Sequence, residues 1–366
     1  RVRLEKEMVE MAGRGFNPAS PTQLAEVLFV DLRLSIKGIK KGKTGYSTAA
    51  SELEKLRGQH PIVEKIEDYR EVSKLLSTYV EVLPLLADTE GRVHTTFNQA
   101  VTATGRLSSS DPNLQNIPVR TELGRRIRGA FVAPKGRVLV SCDYSQIELR
   151  LAAALSKDPA MMEAFMHGED IHQSTAAKIW GIPLKEVTKE QRRAAKAINF
   201  GILYGQGAHG LAATAGIPYA EAKTFIEKYF QVYSHFRAYI EETKALSRTL
   251  GYTETLFGRR RLMPEMLSAI PMLRAQAERM AINMPLQGTA ADLMKLAMIE
   301  VDRKLASVCV GAKMLLQVHD ELVLEVPEKD ATRVAVFVKE TMEQVEKMGV
   351  PIVVDMKIGR SWADMM

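Results

Sequence analysis

The chain has 366 residues, of which 46% are apolar and 26% charged, a globular composition that argues against disorder and fits two or three domains of about 150 residues each. Its net charge of +6, from 50 Lys and Arg against 44 Asp and Glu, permits a polyanionic partner without requiring one. Only two cysteines, Cys142 and Cys309, are present, which argues against a disulfide framework and a cysteine zinc site; no apolar run reaches about 18 residues, so no transmembrane helix and no membrane partner are predicted.

The opening "RVRLEKEMVEMAG" has helical periodicity and mixed charge and is not a signal peptide. It starts on Arg inside a helix already under way, so an N-terminal truncation is expected. "KGIKKGKTGYS" combines Gly with Lys37, Lys40, Lys41 and Lys43 and predicts a flexible cationic loop. "STAASELEKLRG" offers capping residues followed by an amphipathic run. "VEKIEDYREVSKLLSTYVEVLPLL" predicts a long amphipathic helix that ends at Pro84 or just before it.

Residues 88 to 142 change character. "GRVHTTFNQ" reads as a strand. "TATGRLSSSDPNLQNIP" is rich in Ser, Thr, Asn, Gly and Pro, and a loop this long favours a functional role. "RVLVSCDYS" reads as a short buried strand entering a polar turn. From residue 146 to about 300 the pattern is helical, with breaks near "WGIPLKEVT", "TAGIP", "GYTETLFGRRR" and "NMPLQG". Residues 312 to 326 read as a hairpin around "HD". A helix over about 328 to 347 and a strand at "PIVVDMKIG" close the chain. These elements predict an α+β fold in which one sheet is built from distant pieces around a helical insertion.

"VLVSCDYSQIELR" places Asp143 at a strand end and Glu148 five residues on. An acid at a strand end is also an ordinary turn former or helix cap. Asp320, in "QVHDELVLEV", is costly to bury unless paired or bound to a cation, and a water-facing turn is the plain alternative. Two such acids point to an oxygen-donor site of the kind that holds Mg²⁺ with substrate phosphates; spacing alone does not bring them together.

"QRRAAKAINFGILYG" carries Arg192, Lys196, Phe200 and Tyr204 at steps of four, close to one helix face. Cations near a helix N-terminus suit a triphosphate, and the aromatics beyond suit a sugar and base. A solvated amphipathic helix gives the same pattern. Arg106, Gln115 and Asn116 in the long loop, and Asn283 and Gln287 in "MAINMPLQGTAAD", match minor-groove acceptors present on every base pair. Taken singly, each amide also fits a loop or cap hydrogen bond. The Lys-rich loop, including Lys43, suits phosphate contacts or plain solvation.

Three stretches, "DYSQIELR" (143–150), "RRAAKAINFGILYG" (192–205) and "QVHDELVLE" (317–325), closely resemble motifs A, B and C of the family A DNA polymerases, the family of the bacterial DNA polymerase I enzymes. "TATGRLSSSDPNLQNIPVR" (102–120) and "MPLQGTAADLMKLAM" (284–298) also resemble family signatures. The resemblance covers essentially the whole chain and is weakest over residues 1 to 60.

This resemblance implies a right-hand fold: a partial helical thumb at 1–87, a first part of the palm at 88–153, helical fingers at 154–284, and a second part of the palm at 285–366. It implies a templated DNA polymerase whose partners are primer–template DNA and deoxynucleoside triphosphates. Asp143 and Asp320, with the main-chain carbonyl of Tyr144, are the expected ligands of two Mg²⁺ ions, for which Mn²⁺ can substitute. Glu321 and His319 are expected beside the primer end. Arg192, Lys196 and His172 are expected on the triphosphate, with Phe200, Tyr204, Gln146 and Glu148 around the nucleotide and Glu148 excluding ribose. Arg106, Gln115, Asn116, Arg279, Asn283, Gln287 and Lys43 are the expected DNA contacts.

The chain is too short to include the family's nuclease-type domains, and Ala197 stands where many members carry Thr. A monomeric, cytoplasmic, nucleoid-associated enzyme is expected. Two alternatives stay open from the sequence: a polymerase with strong reverse-transcriptase activity, and a DNA-binding remnant with little or no catalysis.

Overall fold

The computed structural model describes every residue except Thr44, Arg120 and Met366. Thr44 of the cationic stretch and Arg120 at the end of the "TATGRL" signature thus lie outside the described residues. The chain forms two compact units, residues 1–94 with 118–127 and residues 95–117 with 128–366.

The first unit holds helices α1 (Val2–Ala12) and α2 (Pro21–Glu26), strands β1 (Lys41–Gly42) and β2 (Gly45–Tyr46), then α3 (Ala50–Leu53), α4 (Ile62–Leu75) and α5 (Leu83–Leu86). Leu4 and Met8, one helical turn apart, bury their side chains with Leu24, Leu28, Ile62 and Ile66.

Two expectations change here and a third holds. The cationic stretch is a small hairpin rather than a flexible loop, with Lys41 opposite Tyr46 and its ammonium 5.5 Å from the Tyr46 ring. "STAASELEKLRG" gives only four α-helical residues before a 3₁₀ turn at Glu54–Leu56, because no side chain caps its start. The long helix ends before Pro84, as expected, with α4 widening into a π turn at Leu76–Val80. Pro84 then sits in the first turn of α5, where its missing N–H has no partner to lose.

The second unit contains β3 (Thr96–Asn98), β4 (Ser108–Ser110), the end of α6 (Glu122–Gly129), β5 (Arg137–Tyr144) and α7 (Ile147–Ser156). A helical run follows: α8 (Pro159–Met166), α9 (Ile171–Trp180), α10 (Lys189–Leu203), α11 (Ala208–Ala215), α12 (Tyr219–Val232) and α13 (Ser234–Leu250). The hairpin β6 (Tyr252–Glu254) and β7 (Arg260–Leu262) interrupts it before α14 (Pro271–Val308). Strands β8 (Lys313–Val318) and β9 (Glu321–Pro327), helix α15 (Ala331–Glu343) and β10 (Val354–Gly359) complete the unit.

The main sheet has the order β10-β5-β9-β8 and is antiparallel throughout. Side chains alternate along a strand. Val138, Val140, Cys142 and Tyr144 of β5, with Leu322 and Leu324 of β9, therefore join the core. Helix α15 packs on this face: Cys142 Sγ lies 3.8 Å from the Ala335 carbonyl and the Tyr144 hydroxyl donates to the Met342 carbonyl at 2.9 Å. The intervening positions, Asp143 and Glu321 among them, point to the opposite face.

The strand expected at "GRVHTTFNQ" is only three residues long, and its partner β4 lies inside the expected long loop. Polar side chains hold that pair: Thr95 bonds Ser109 at 2.7 Å, and Ser109 accepts from the Leu114 amide at 3.0 Å. The break expected at "NMPLQG" does not occur. Helix α14 runs 38 residues straight through Pro285. Met284, Leu286, Ala290 and Leu293 are all buried there, and such packing outweighs the local cost of proline.

Gly288 lets α14 approach its neighbours: a Cβ there would come within 2.5 Å of Thr255 Cγ2 and 3.2 Å of the Thr104 carbonyl. Gly288→Ala is expected to destabilise the second unit by about 1–3 kcal/mol, lowering its melting temperature by roughly 5 °C. An unchanged calorimetric melt would rule out this close packing.

Candidate active site

The main sheet carries a row of acids at the C-terminal end of β5. Asp143 lies opposite Glu321 on one side and Asp355 on the other. Asp320 occupies the two-residue turn before β9, and its carbonyl accepts the Tyr144 amide at 3.0 Å. The structure therefore brings Asp143, Tyr144 and Asp320 together. Burial, then the carboxylates of Glu321, Asp320 and Asp355, push Asp143 up to about 7. Asp143 as a whole is solvent-exposed, so the acidic neighbours, fixed by strand register, are the cause the geometry supports directly. Burial also raises Asp320, against the pull of Arg106. Glu321 is raised by burial too, opposed by its hydrogen bond from Ser141 and by Arg128 and Lys357.

Among the described residues no three His, Cys, Asp or Glu side chains form a ready-made metal cage. Two aspartates with excess negative charge nevertheless fit a hard divalent cation, which takes oxygen donors and keeps water or phosphate in its remaining positions.

Arg106 sits over these acids. Its Nη2 donates to Glu148 Oε1 at 2.8 Å and lies 3.5 Å from Asp320 Oδ1. Glu148, only 7% exposed on the first turn of α7, also accepts from the Tyr204 hydroxyl at 3.0 Å and from Gln287. A contact chain Asp320–Arg106–Glu148–Tyr204 thus runs from the acidic turn to the end of α10.

Helix α10 begins at a capping box, Thr188 with Gln191. Arg192, Lys196 and Phe200 lie on it, and Tyr204 is its C-cap. The Phe200 and Tyr204 rings stack 6.4 Å apart, and His172 lies 5.7 Å from Phe200. Lys196 is exposed. Arg192 is held by Asp170 through two bonds of 2.6 and 2.8 Å. Asp170 in turn caps α9, accepting from the amides of His172 and Gln173.

Arg279, Asn283 and Gln287 repeat every four residues on α14 and line a cleft of about 350 Å³ with Thr104, Tyr204 and Arg261. Asn283 Nδ2 is buried there without a partner. Gly205 has φ of 66°, and a Cβ on it would lie 2.9 Å from Arg279 Cγ; glycine alone meets both demands.

Gln115 Nε2 donates to the carbonyl and the side-chain oxygen of Gln317 at 3.0 and 3.1 Å. Gln317 Nε2 then donates to the His319 carbonyl. His319 and Gln146 hold φ of 55° and 54°, backbone strain at the two ends of the acidic site. Asn116 is exposed beside Gln115. Lys43 belongs to the first unit, at the tip of the β1–β2 hairpin, and is described only there.

Several residues of the site lie outside the expectations from sequence. Asp355 carries a readable signal, an acid inside the closing strand. Arg261 lies in a stretch that reads only as a break. Gln317 is 5% exposed and Arg128 3%; their value comes from contacts that a single sequence does not reveal.

The chain matches the description "DNA polymerase family A" over residues 1–364. It is 55% identical over 362 residues to "DNA polymerase I, thermostable" of Thermus aquaticus, covering 98% of this chain and 43% of that protein. It is 50% identical to DNA polymerase I of Deinococcus radiodurans, covering 99% of this chain and 38% of that protein. Among solved structures it resembles "POL domain of Pol1 from M. smegmatis complex with DNA primer-template and dNTP", with a TM-score of 0.93 and 43% identity, covering all of this chain and 64% of that one. The chain belongs to DNA polymerase family A and has that family's right-hand polymerase fold. It spans less than half the length of these curated relatives. Members of the family use divalent metal ions.

The acidic row generates a test of its own. Asp143 and Asp355 repel only when both are ionised, above the raised Asp143 value of about 7. In EDTA at pH 8.5, Asp355→Asn should stabilise the chain by about 0.5 kcal/mol, the scale of one opposed like-charge pair on a sheet. At pH 5 Asp143 is protonated and the gain should vanish. Equal melting of both proteins at pH 8.5 would contradict the repulsion.

Proposed function

We propose that this chain is the polymerase part of a bacterial DNA polymerase I: it adds deoxynucleotides to a primer 3′-hydroxyl under template direction and releases pyrophosphate. The observation that carries the proposal is the contact chain Asp320–Arg106–Glu148–Tyr204, which joins the acidic turn to the cationic and aromatic helix α10. The names of the relatives support it, as do the primer–template DNA and dNTP present in the complex of the similar solved structure.

In this reading residues 1–87 form a partial thumb, 88–153 and 285–366 the palm, and 154–284 the fingers. The chain acts as a monomer in the bacterial cytoplasm, at the nucleoid. No described helix is long and apolar enough to cross a membrane.

Asp143 and Asp320, with the carbonyl of Tyr144, hold two Mg²⁺ ions, for which Mn²⁺ can substitute. When bound, the ions supply Lewis acidity to the attacking hydroxyl and charge neutralisation to the departing phosphate. The chain's own side chains do the rest. Lys196 and Arg192 hold the triphosphate, Arg192 exchanging Asp170 for a phosphate oxygen, and His172 adds a further contact. Phe200, Tyr204 and Gln146 bound the nucleotide. Glu321 and His319 flank the primer end. Arg106, Gln115, Asn116, Arg279, Asn283, Gln287 and Lys43 contact DNA. Catalysis is then mostly positioning and charge complementarity.

Glu148 discriminates the sugar. Three neighbours hold its buried carboxylate, so it does not swing aside for a 2′-hydroxyl. Glu148→Ala should raise ribonucleotide incorporation relative to deoxynucleotide by at least about tenfold; unchanged sugar selectivity removes this role.

Asp143→Ala and Asp320→Ala should each lower primer extension by about a thousandfold or more while sparing the fold, since each removes charge from an acidic cluster. Independently of activity, millimolar Mg²⁺ should raise the melting temperature of the native chain but not of the Asp143→Asn, Asp320→Asn double variant. Near-normal extension by either alanine variant defeats the assignment.

A further inference from the structure

Behind His172 lies a buried polar chain that belongs to neither the sheet nor the DNA cleft. Asn199, Thr175 and Tyr233 are all 0% exposed. Polar groups so buried normally have at least one hydrogen-bond partner, so donors can be matched to acceptors. Thr175 has one hydroxyl proton. Its shortest acceptor is the Ile171 carbonyl, at 2.6 Å, one helical turn back. Thr175 Oγ1 must then accept from its other neighbours. Tyr233 supplies its hydroxyl proton at 2.9 Å, and Asn199 Nδ2 donates at 3.2 Å. The second amide proton of Asn199 faces His172 Nδ1 at 3.0 Å.

The shortest contacts favour one direction. The Ile171 carbonyl has no proton to give, so Thr175 points to it, Asn199 points to Thr175, and Nδ1 is left to accept. Turned over, the Asn199 amide would place its oxygen 3.2 Å from Thr175 Oγ1, whose only proton is committed, and would donate to that hydroxyl only across 3.4 Å. As placed, Asn199 Oδ1 has only the Thr175 hydroxyl near it, at 3.4 Å, and that proton lies on the 2.6 Å bond to the helix carbonyl.

We infer that Asn199 is a positioning residue that holds His172 as the Nε2–H tautomer, so that a neutral imidazole donates a hydrogen bond to a phosphate oxygen of the incoming triphosphate. The phosphate role rests on the function proposed above; the tautomer does not. Among the described residues Nε2 has no protein partner, so its proton is free for a ligand. The charged groups around the ring are Asp170, Lys196 and Arg192. Burial above all, opposed by Asp170 and aided by Lys196 and Arg192, pushes His172 down to about 4 and keeps it neutral. The two neighbouring cations already supply the charge a triphosphate needs. A neutral donor of fixed orientation supplies direction, as second partners commonly do for histidine.

The test needs no variant to begin. ¹⁵N histidine spectra of the native chain at pH 7, without nucleotide, should show His172 protonated at Nε2 and unprotonated at Nδ1, with the signal assigned by its loss in His172→Gln. Asn199→Asp replaces the donor with an acceptor and should move the proton to Nδ1. The same variant should raise the dNTP KM by about tenfold, the loss of one hydrogen bond to a charged group. Its kcat and primer–template affinity should change less than about threefold. A native His172 that is Nδ1-protonated or charged at pH 7 overturns the inference, even if Asn199→Asp does not fold. So does a variant that moves the proton and leaves KM unchanged. A native chain with the Nε2–H tautomer that extends no primer overturns the polymerase reading and the phosphate role with it.

Discussion

The pairing of Asp143 with Glu321 across β5 and β9, with Asp355 on the other flank, is the constraint on which the site depends. Like charges directly opposite one another oppose sheet formation. The other face of the same strands outweighs them: Cys142, Tyr144, Leu322 and Leu324 are buried with α15, and each large apolar side chain removed from water contributes about 1.5–3 kcal/mol. Because side chains alternate with a period of two, the apolar face fixes where the acids emerge. A slip of one residue would turn the acids into the core and the apolar residues out. The repulsion is therefore local, held by packing beneath it, and a cation is the natural relief.

Two arginines of the second unit are held by carboxylates. Arg106 serves both Glu148 and Asp320, and Arg192 serves Asp170. The Arg192–Asp170 pair is partly exposed, so it is worth little on its own, whereas the Glu148 carboxylate in the Arg106 pair is buried. The neutral partners are more firmly fixed. Glu148 is gripped by Tyr204 and Gln287 as well as by Arg106, and His172 by Asn199. Neutral contacts thus help to fix the orientation of both side chains.

The sheet, the helical insertion and the three acidic and cationic motifs are legible in the sequence because the chemistry demands those residue types at those spacings. Proline at 285 reads as a break because burial on α14 cannot be seen in a local pattern. The π turn before Pro84 and the hairpin at Lys41–Tyr46 escape a sequence reading for a similar reason: backbone geometry there follows from packing and pairing rather than from propensity. Asp355 is an acid in a strand whose neighbour across the sheet is far away in sequence. Asn199 is hidden by its setting, since an Asn between Ile198 and Phe200 on a helix looks like ordinary motif filling until its two amide protons are traced.

The position of Arg106 shows how far such dependence reaches. Its segment, "TATGRL", is a turn in which the Thr102 hydroxyl donates to the Arg106 carbonyl, and it is also packed from outside. Gly105, at φ 83°, lies so close to the Arg259 side chain that a Cβ would collide with it. Arg259 is held by Asp292 on α14 at 2.7 Å, and Asp292 accepts from Thr255 at 2.7 Å as well. Asp292 is 6% exposed, and removing it would leave a partly buried guanidinium without its partner. The guanidinium that bridges Glu148 and Asp320 is therefore located through a glycine, a hairpin arginine and a helix aspartate. None of the three touches the acids themselves. The long α14 helix, uninterrupted at Pro285, is thus a common frame for Asn283 and Gln287 on one turn and for the anchor of Arg106 on the next.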